Sequence, residues 1–95
     1  MLTDKARNDC YYWAKEKGFD LYNAKDYPLD VAKSIFNAVL IEWFDSVGLI
    51  ILIPKWVDKF YFKIENNYES DICYETRFEA TTEAILKANE IYNTK

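Results

Sequence analysis

The most regular pattern in the chain is a helical stripe of apolar residues between Leu29 and Phe44. Apolar positions recur there at spacings of three and four, as one face of an α-helix requires. The stripe consists of Ala32, Ile35, Phe36, Val39, Leu40, Trp43 and Phe44. The polar positions that fall mainly outside it are Asp30, Lys33, Asn37 and Glu42. The polar segment 19–28 before this helix is predicted to be an irregular connection that ends at Pro28.

A second helix is predicted from Thr3 to Lys17, with Thr3 as its N-cap and Gly18 just after its end. The adjacent residues Tyr11 and Tyr12 cannot both join its apolar face, so at least one of them is expected at the surface. The apolar face consists of Ala6, Cys10, Trp13 and Ala14.

A third helix is predicted from Arg77 to about Asn93, because Thr76 to Glu79 fits a capping box. Glu83 and Lys87 are spaced for an ion pair along it. Its predicted inner stripe consists of Phe78, Thr81, Ala84, Ile85, Ala88, Ile91 and Tyr92.

Three strands are predicted between the second and third helices. The apolar run Val47–Ile53, closed by Pro54, is typical of a strand covered on both faces and is predicted to lie in the middle of the sheet. The segment Lys59–Glu65 alternates apolar and polar residues, as a strand with one buried face does. A turn at 66–67 is then predicted to lead into a third strand at Asp71–Glu75, with Ile72 and Tyr74 on one face.

These elements predict a single α+β domain over residues 1–95, with a three-stranded antiparallel sheet packed against three helices in the order α-α-β-β-β-α. The composition agrees with a folded domain, because 51% of the residues are hydrophobic and 18% are aromatic.

The residues that are missing exclude many kinds of site. The chain has no histidine and only two glycines, which rules out histidine-dependent catalytic pairs, most zinc sites and glycine-rich phosphate loops. Cys10 and Cys73 fit no metal or disulfide spacing, so both are predicted to be reduced and buried. We therefore expect neither an enzyme nor a cofactor or metal site.

Charge and hydropathy limit the partners. The net charge of −4 argues against nucleic acid and anionic lipid, and it suits a protein partner with a basic surface. The N-terminal residues lack the apolar core of a signal peptide, and no apolar run approaches the roughly 20 residues of a membrane helix. A cytoplasmic protein is expected.

Three sequence stretches resemble the phage ABA sandwich family of small α/β proteins from phages and prophages. They are D-Y-P-L-D-V-A-K at the start of the second helix, W-F-D-S-V-G at the step from that helix to the first predicted strand, and E-A-I-L-K-A in the last helix. The resemblance covers residues 26–93 and leaves the first helix as an addition. It implies the fold and a phage or prophage origin, and it implies no catalytic residues.

The function expected from these observations is that of a small phage-type accessory protein that binds another protein or a second copy of itself. Exposed tyrosine and tryptophan are enriched where proteins bind each other. The aromatic residues that the predicted elements do not clearly bury are Tyr11, Tyr12, Trp56 and Tyr68.

Two other surfaces are considered. If a strand began at Lys55, one of its faces would carry Lys55, Lys59, Tyr61 and Lys63, and a face of this kind can bind nucleic acid or small anions. The alternative is an ordinary solvated strand that Asp58 interrupts. The second is a carboxylate group that could bind a cation or a basic partner, or that only favours a helix N-terminus; it consists of Asp71, Glu75, Glu79 and Glu83.

Overall fold

The computed structural model describes residues 2–18 and 29–94, with the side chains of the second range described from Phe36 onward. The predicted connection at 19–28 lies outside this description, and so do the side chains of the predicted stripe residues Ala32 and Ile35. The helices are α1 (Asp4–Lys17), α2 (Leu29–Ser46) and α3 (Arg77–Asn93). The strands are β1 (Ile51–Leu52), β2 (Lys55–Trp56), β3 (Lys59–Phe60), β4 (Lys63–Ile64) and β5 (Tyr68–Glu69).

The predicted α+β class is confirmed, although the strands of the described chain are shorter than predicted. An antiparallel sheet has the strand order β1-β4-β5, and β2 and β3 form a separate hairpin. In the described ranges, no helix has the length and hydropathy needed to cross a membrane.

The core lies between the helices and one face of the sheet. α2 and α3 pack on β1, α3 also packs on β3 and β4, and α1 packs on the other two helices. The largest fully buried side chains are Trp43, Phe44, Leu49, Ile64, Ile85 and Cys10. On the sheet, Ile51 and Ile64 are paired neighbours that both face this core.

The prediction of a central strand at Val47–Ile53 is wrong. Gly48 adopts a left-handed φ of 88°, and its N–H donates to the carbonyl of Asp45 while the N–H of Leu49 donates to the carbonyl of Phe44 at 2.8 Å. This is the Schellman pattern that ends a helix. The first residues of the apolar run therefore end α2, and only Ile51–Leu52 forms a strand.

This strand also lies at the sheet edge and is covered on one face only. Leu49 and Ile51 are buried, whereas Ile50 and Leu52 are 36% and 42% exposed. β4 is the middle strand because it pairs with both β1 and β5. The seven-residue apolar run suggested two covered faces, but the helices cover only one.

The second predicted strand is divided in two. Lys59–Phe60 pairs with β2, whereas Lys63–Ile64 pairs with β1 and β5. The predicted alternation still holds for Phe62 and Ile64, which are both buried. The predicted turn at 66–67 is confirmed, with Asn66 at φ 65°.

The third strand is Tyr68–Glu69 and not Asp71–Glu75, of which Tyr74 makes an isolated bridge to Phe60. Ile72, predicted to share a face with Tyr74, is exposed, whereas Tyr74 is half-buried. The chain pairs with β4 directly after the short turn, and this pairing places the strand earlier than predicted.

The N-cap predicted at Thr76 is confirmed, because the N–H of Glu79 donates to Thr76 Oγ1 at 3.1 Å, which is the threonine half of the predicted capping box. The bounds of α3 are also as predicted. Phe78, however, is exposed, and Ala80 is buried in its place on the inner stripe. Asn37 of α2 was expected outside but is buried, and its Nδ2 has no hydrogen-bond partner among the described residues.

The N-terminus of α1 is capped by a residue from the far end of the chain. Gly18 ends α1 in the left-handed region as predicted, but Thr3 makes no side-chain bond to its own helix. The N–H of Ala6 instead donates to Asn93 Oδ1 at 2.8 Å, and Asn93 Nδ2 donates to the carbonyl of Thr3 at 3.0 Å. One amide therefore joins α1 to the end of α3.

We predict that Asn93→Ala lowers the free energy of unfolding by about 1–2 kcal/mol, because it leaves the Ala6 N–H without its cap. Urea unfolding followed by circular dichroism measures this change. Asn8→Ala, at an exposed position of α1, is the matched control and should change stability by less than about 0.5 kcal/mol. Equal losses in the two variants would contradict the capping role.

A second contact between α1 and α3 depends on pH. Tyr92 Oη donates to Asp9 Oδ2, and this hydrogen bond, together with burial, raises the pKa of Tyr92 from 10.0 to about 12. A raised pKa means that the neutral phenol is favoured in the folded state, so the contribution is complete below pH 10 and is lost as pH rises through 12.

We predict that Tyr92→Phe is less stable than the parent at neutral pH and that this difference narrows as the pH rises from 10 towards 12. The aromatic ring, which packs 4.9 Å from the ring of Trp43, is kept in the variant. Urea unfolding at several pH values measures the difference. Tyr12→Phe, at an exposed tyrosine, serves as the control, and a pH-independent difference for Tyr92→Phe would refute the linkage.

Candidate functional site

The β2–β3 hairpin carries the most exposed apolar side chains of the described chain. In its ladder Lys55 pairs with Phe60 and Trp56 pairs with Lys59, and Val57 and Asp58 form the turn. Trp56 is 67% exposed and Val57 is 81% exposed. The hairpin therefore presents two large apolar groups to solvent at its tip.

Val57 is also held in a strained backbone conformation. Its φ of 60° lies in the left-handed region, which is uncommon for a β-branched residue. Because its side chain is almost fully exposed, packing of that side chain does not offset the strain. Strain of this kind is found more often at functional sites than elsewhere.

A groove lies beside the hairpin and has a volume of about 330 Å³. We name it the Trp56 groove. Its apolar lining comes from Trp56, Tyr61, Ile72 and Cys73, and polar groups come from Lys55, Glu69, Ser70 and Asp71. Ile72 is 62% exposed. The groove is therefore lined about equally by apolar and polar surface.

The loop 70–73 that forms one wall of the groove is held by Ser70. The N–H of Phe62 donates to Ser70 Oγ at 3.1 Å, and Ser70 Oγ donates to the carbonyl of Ile72 at 3.0 Å. These bonds join the loop to the segment between β3 and β4. The Ile72 carbonyl is therefore tied to the base of the loop, while the Ile72 side chain is exposed.

A second concavity lies on the other side of the same loop, between the sheet and α3. We name it the Tyr74 cleft, and its volume is about 360 Å³. Its floor consists of Phe62, Tyr68 and Tyr74, and its charged residues are Asp71, Glu83, Lys87 and Glu90. Asp71 and Ile72 line both the groove and the cleft.

The rings of the cleft floor form a stacked row with Phe62 in the middle. The ring centroid of Phe62 lies 5.7 Å from that of Tyr68 and 6.3 Å from that of Tyr74, with interplanar angles of 26° and 28°. Burial, then the negative charge of Glu83, then Tyr68 raise the pKa of Tyr74. Both the floor and the rim of the cleft are therefore suited to positive charge.

The structure separates the four aromatic residues predicted to bind a partner. Tyr11 and Tyr12 are 49% and 66% exposed on α1, which packs on the other helices, and their rings meet edge to face at 5.6 Å. Trp56 lines the groove, whereas Tyr68 is half-buried in the floor of the cleft. They form three locations and not one patch.

The predicted lysine face, which consists of Lys55, Lys59, Tyr61 and Lys63, requires one continuous strand that begins at Lys55. The structure has a hairpin there instead, so this requirement is not met. Because the turn at Val57 intervenes, Lys59 shares a face with Trp56 and lies opposite to Lys55. Lys59 pairs with Glu75 at 3.2 Å, and this carboxylate raises the pKa of Lys59. The nucleic-acid platform lacks the shared face that it needs.

The other members of that face are also separated. Lys55 and Tyr61 both line the Trp56 groove, whereas Lys63 is exposed on the outer face of the sheet between Leu52 and Glu69.

The predicted carboxylate group is only partly assembled. Asp71 and Glu83 line the Tyr74 cleft, while Glu75 pairs with Lys59 and Glu79 lies in the first turn of α3. Among the described residues, no group of three histidine, cysteine, aspartate or glutamate side chains is placed to hold a metal ion.

The two cysteines have different surroundings. Cys10 is buried, and this burial raises the pKa of its thiol to about 11, whereas Cys73 is only half-buried and lines the Trp56 groove. Both are free thiols. Reduced thiols agree with the sequence prediction, but the burial of Cys73 is less complete than predicted.

Several site residues were not identified from the sequence. Val57 and Ile72 gave no signal, because exposed apolar residues resemble core residues in a pattern of hydropathy. Glu90 could have been found, because Glu83, Lys87 and Glu90 recur at helical spacing on one face of α3.

We predict that Val57→Asn raises the free energy of unfolding by about 1 kcal/mol, because asparagine tolerates left-handed backbone better than valine does. Chemical denaturation of the variant and the parent measures the gain. Val57→Thr keeps the β-branched shape and is the matched control, for which no gain is expected. A gain with threonine, or none with asparagine, would show that the strain is not relieved as described.

No protein-family model, curated protein or solved structure matches the chain. The resemblance to phage ABA sandwich proteins accordingly stays a prediction.

Proposed function

We propose that the protein is a small phage- or prophage-type accessory protein that works, without catalysis, by binding another protein at the Trp56 groove. The observation that carries this proposal is the joint exposure of Trp56 and Ile72, at 67% and 62%, on the walls of one groove. Val57, next to Trp56, enlarges the apolar surface at the tip of the hairpin.

Burial of these exposed apolar side chains by a partner is energetically more favourable than their exposure to solvent. Covering a large apolar side chain gains roughly 1.5–3 kcal/mol, so the groove and the hairpin tip could supply most of the energy of a moderate interaction. Tryptophan is among the residues that most often dominate such contacts. The strain at Val57 agrees with this assignment, because strained backbone is found more often at functional sites than elsewhere.

The surroundings of the groove support a protein partner of complementary charge. Glu69 and Asp71 lie at its margin, and the whole chain has a net charge of −4. Lys55 is the basic residue of the lining. The proposed setting is the cytoplasm, where the free thiols Cys10 and Cys73 stay reduced.

We predict that Trp56→Ala and Ile72→Ala each remove the specific partner from the proteins retained by the tagged chain in a lysate of its source bacterium. Quantitative mass spectrometry compares the retained proteins. Tyr12→Ala removes an equally exposed aromatic side chain from a different surface and should leave the partner bound. With the purified partner, the groove variants should weaken binding by about tenfold or more.

The competing occupant is a second copy of the chain. Light scattering coupled to size exclusion distinguishes the two, because a parent dimer that becomes a monomer in Trp56→Ala would assign the groove to self-association. If all three alanine variants retain the same proteins and the same mass as the parent, the groove is not the binding surface.

A further inference from the structure

The Tyr74 cleft has chemistry that an apolar contact at the Trp56 groove does not use. Its floor is a row of aromatic rings, and three carboxylates and one lysine surround the floor. The face of an aromatic ring attracts a cation, and a nearby carboxylate strengthens that attraction. The cleft is therefore suited to a cationic group.

The protein's own Lys87 shows that the cleft accepts positive charge. Its Nζ lies 4.5 Å from the centroid of the Tyr68 ring and 3.5 Å from Glu90 Oε1. The ammonium is thus held between a ring face and a carboxylate. This arrangement fills the Tyr68 end of the floor.

The Tyr74 end also has an aromatic ring and a carboxylate, but no described lysine or arginine lies there as Lys87 does at Tyr68. Asp71 and Glu83 line the cleft, and no lysine or arginine nitrogen of residues 2–18 or 36–94 pairs with either carboxylate within 4 Å. Glu83 contributes to the raised pKa of Tyr74, so its negative charge acts directly on this ring. Among the described residues, the Tyr74 ring and these two carboxylates thus have no cation partner.

We propose that the Tyr74 end of the cleft binds the guanidinium group of an arginine side chain from a basic segment of a partner protein. A guanidinium is planar, stacks on aromatic faces and forms paired hydrogen bonds with a carboxylate, which an ammonium cannot do as well. A metal ion suits the site less, because its floor is aromatic and the described carboxylates do not converge in a group of three.

This proposal goes beyond the contact at the Trp56 groove, because a short free peptide can enter the cleft alone. The probes are acetyl-Gly-Gly-Arg-Gly-Gly-amide and the same peptide with citrulline, which keeps the shape of arginine and removes its charge. Backbone amide shifts of the ¹⁵N-labelled protein give the affinity of each. The arginine peptide should bind about tenfold more tightly and should shift residues around Tyr74 and Glu83.

Charge-matched variants separate the cleft from the general acidity of the protein. Glu83→Gln should weaken binding of the arginine peptide about fivefold, whereas Glu16→Gln, at an exposed position of α1, should leave it unchanged. Lys87→Gln removes the internal cation and should tighten binding about threefold, whereas Lys17→Gln on α1 should not.

Equal affinity for the arginine and citrulline peptides would overturn the proposal. Equal effects of Glu83→Gln and Glu16→Gln would also overturn it, because binding would then follow net charge alone. Trp56→Ala should bind the arginine peptide as the parent does. If the cleft does not bind the arginine peptide, the proposed function is unaffected, because that function is tested separately by the loss of a partner in Trp56→Ala.

Discussion

Among residues 2–18 and 29–94, the helices lie on one face of the sheet, and most other described features depend on this constraint. Ile51 and Ile64 pair across the sheet and face Trp43, Phe44 and the small residues of α3. On the opposite face Leu52, Lys63 and Glu69 form an exposed cross-strand row. The three helices gather on the other side of the sheet, and no other helix of the described ranges covers this face. Apolar side chains such as Leu52 are therefore left in water.

Both concavities arise at the margin of this one-sided layer. β5 ends at Glu69, and the loop that follows, tied down by Ser70, returns towards α3. The Trp56 groove opens on the hairpin side of that loop and combines apolar with polar surface, whereas the Tyr74 cleft opens on the α3 side and is aromatic and acidic. A partner that spanned the loop would meet apolar surface and negative charge together. Such a partner would contact Asp71 and Ile72 from both sides of the loop, because these residues line both the groove and the cleft.

The elements that could be predicted from the sequence are those specified by neighbouring residues. The cap at Thr76, the left-handed end at Gly18 and the stripe of α2 depend on positions a few residues apart, and local patterns therefore found them. The Val47–Ile53 run was misinterpreted because a helix end and a half-exposed strand can have the same apolar composition as a buried strand. The cap supplied to α1 by Asn93 could not be predicted, since it joins the two ends of the chain. The candidate sites depend likewise on distant residues, with Glu83 of α3 facing Tyr74 of the preceding loop.

Solvent paramagnetic relaxation enhancement of the isolated protein, with a soluble gadolinium chelate, tests the one-sided cover most directly. Side-chain protons of Leu52, Ile72 and the Trp56 indole should relax strongly, whereas those of Ile51, Ile64 and Leu49 should be protected. Strong and weak enhancement alternating along residues 49–52 would confirm that helices cover a single face and that the groove is open. Uniform protection of both sets would contradict this account, because it would mean that the outer face and the groove are already covered.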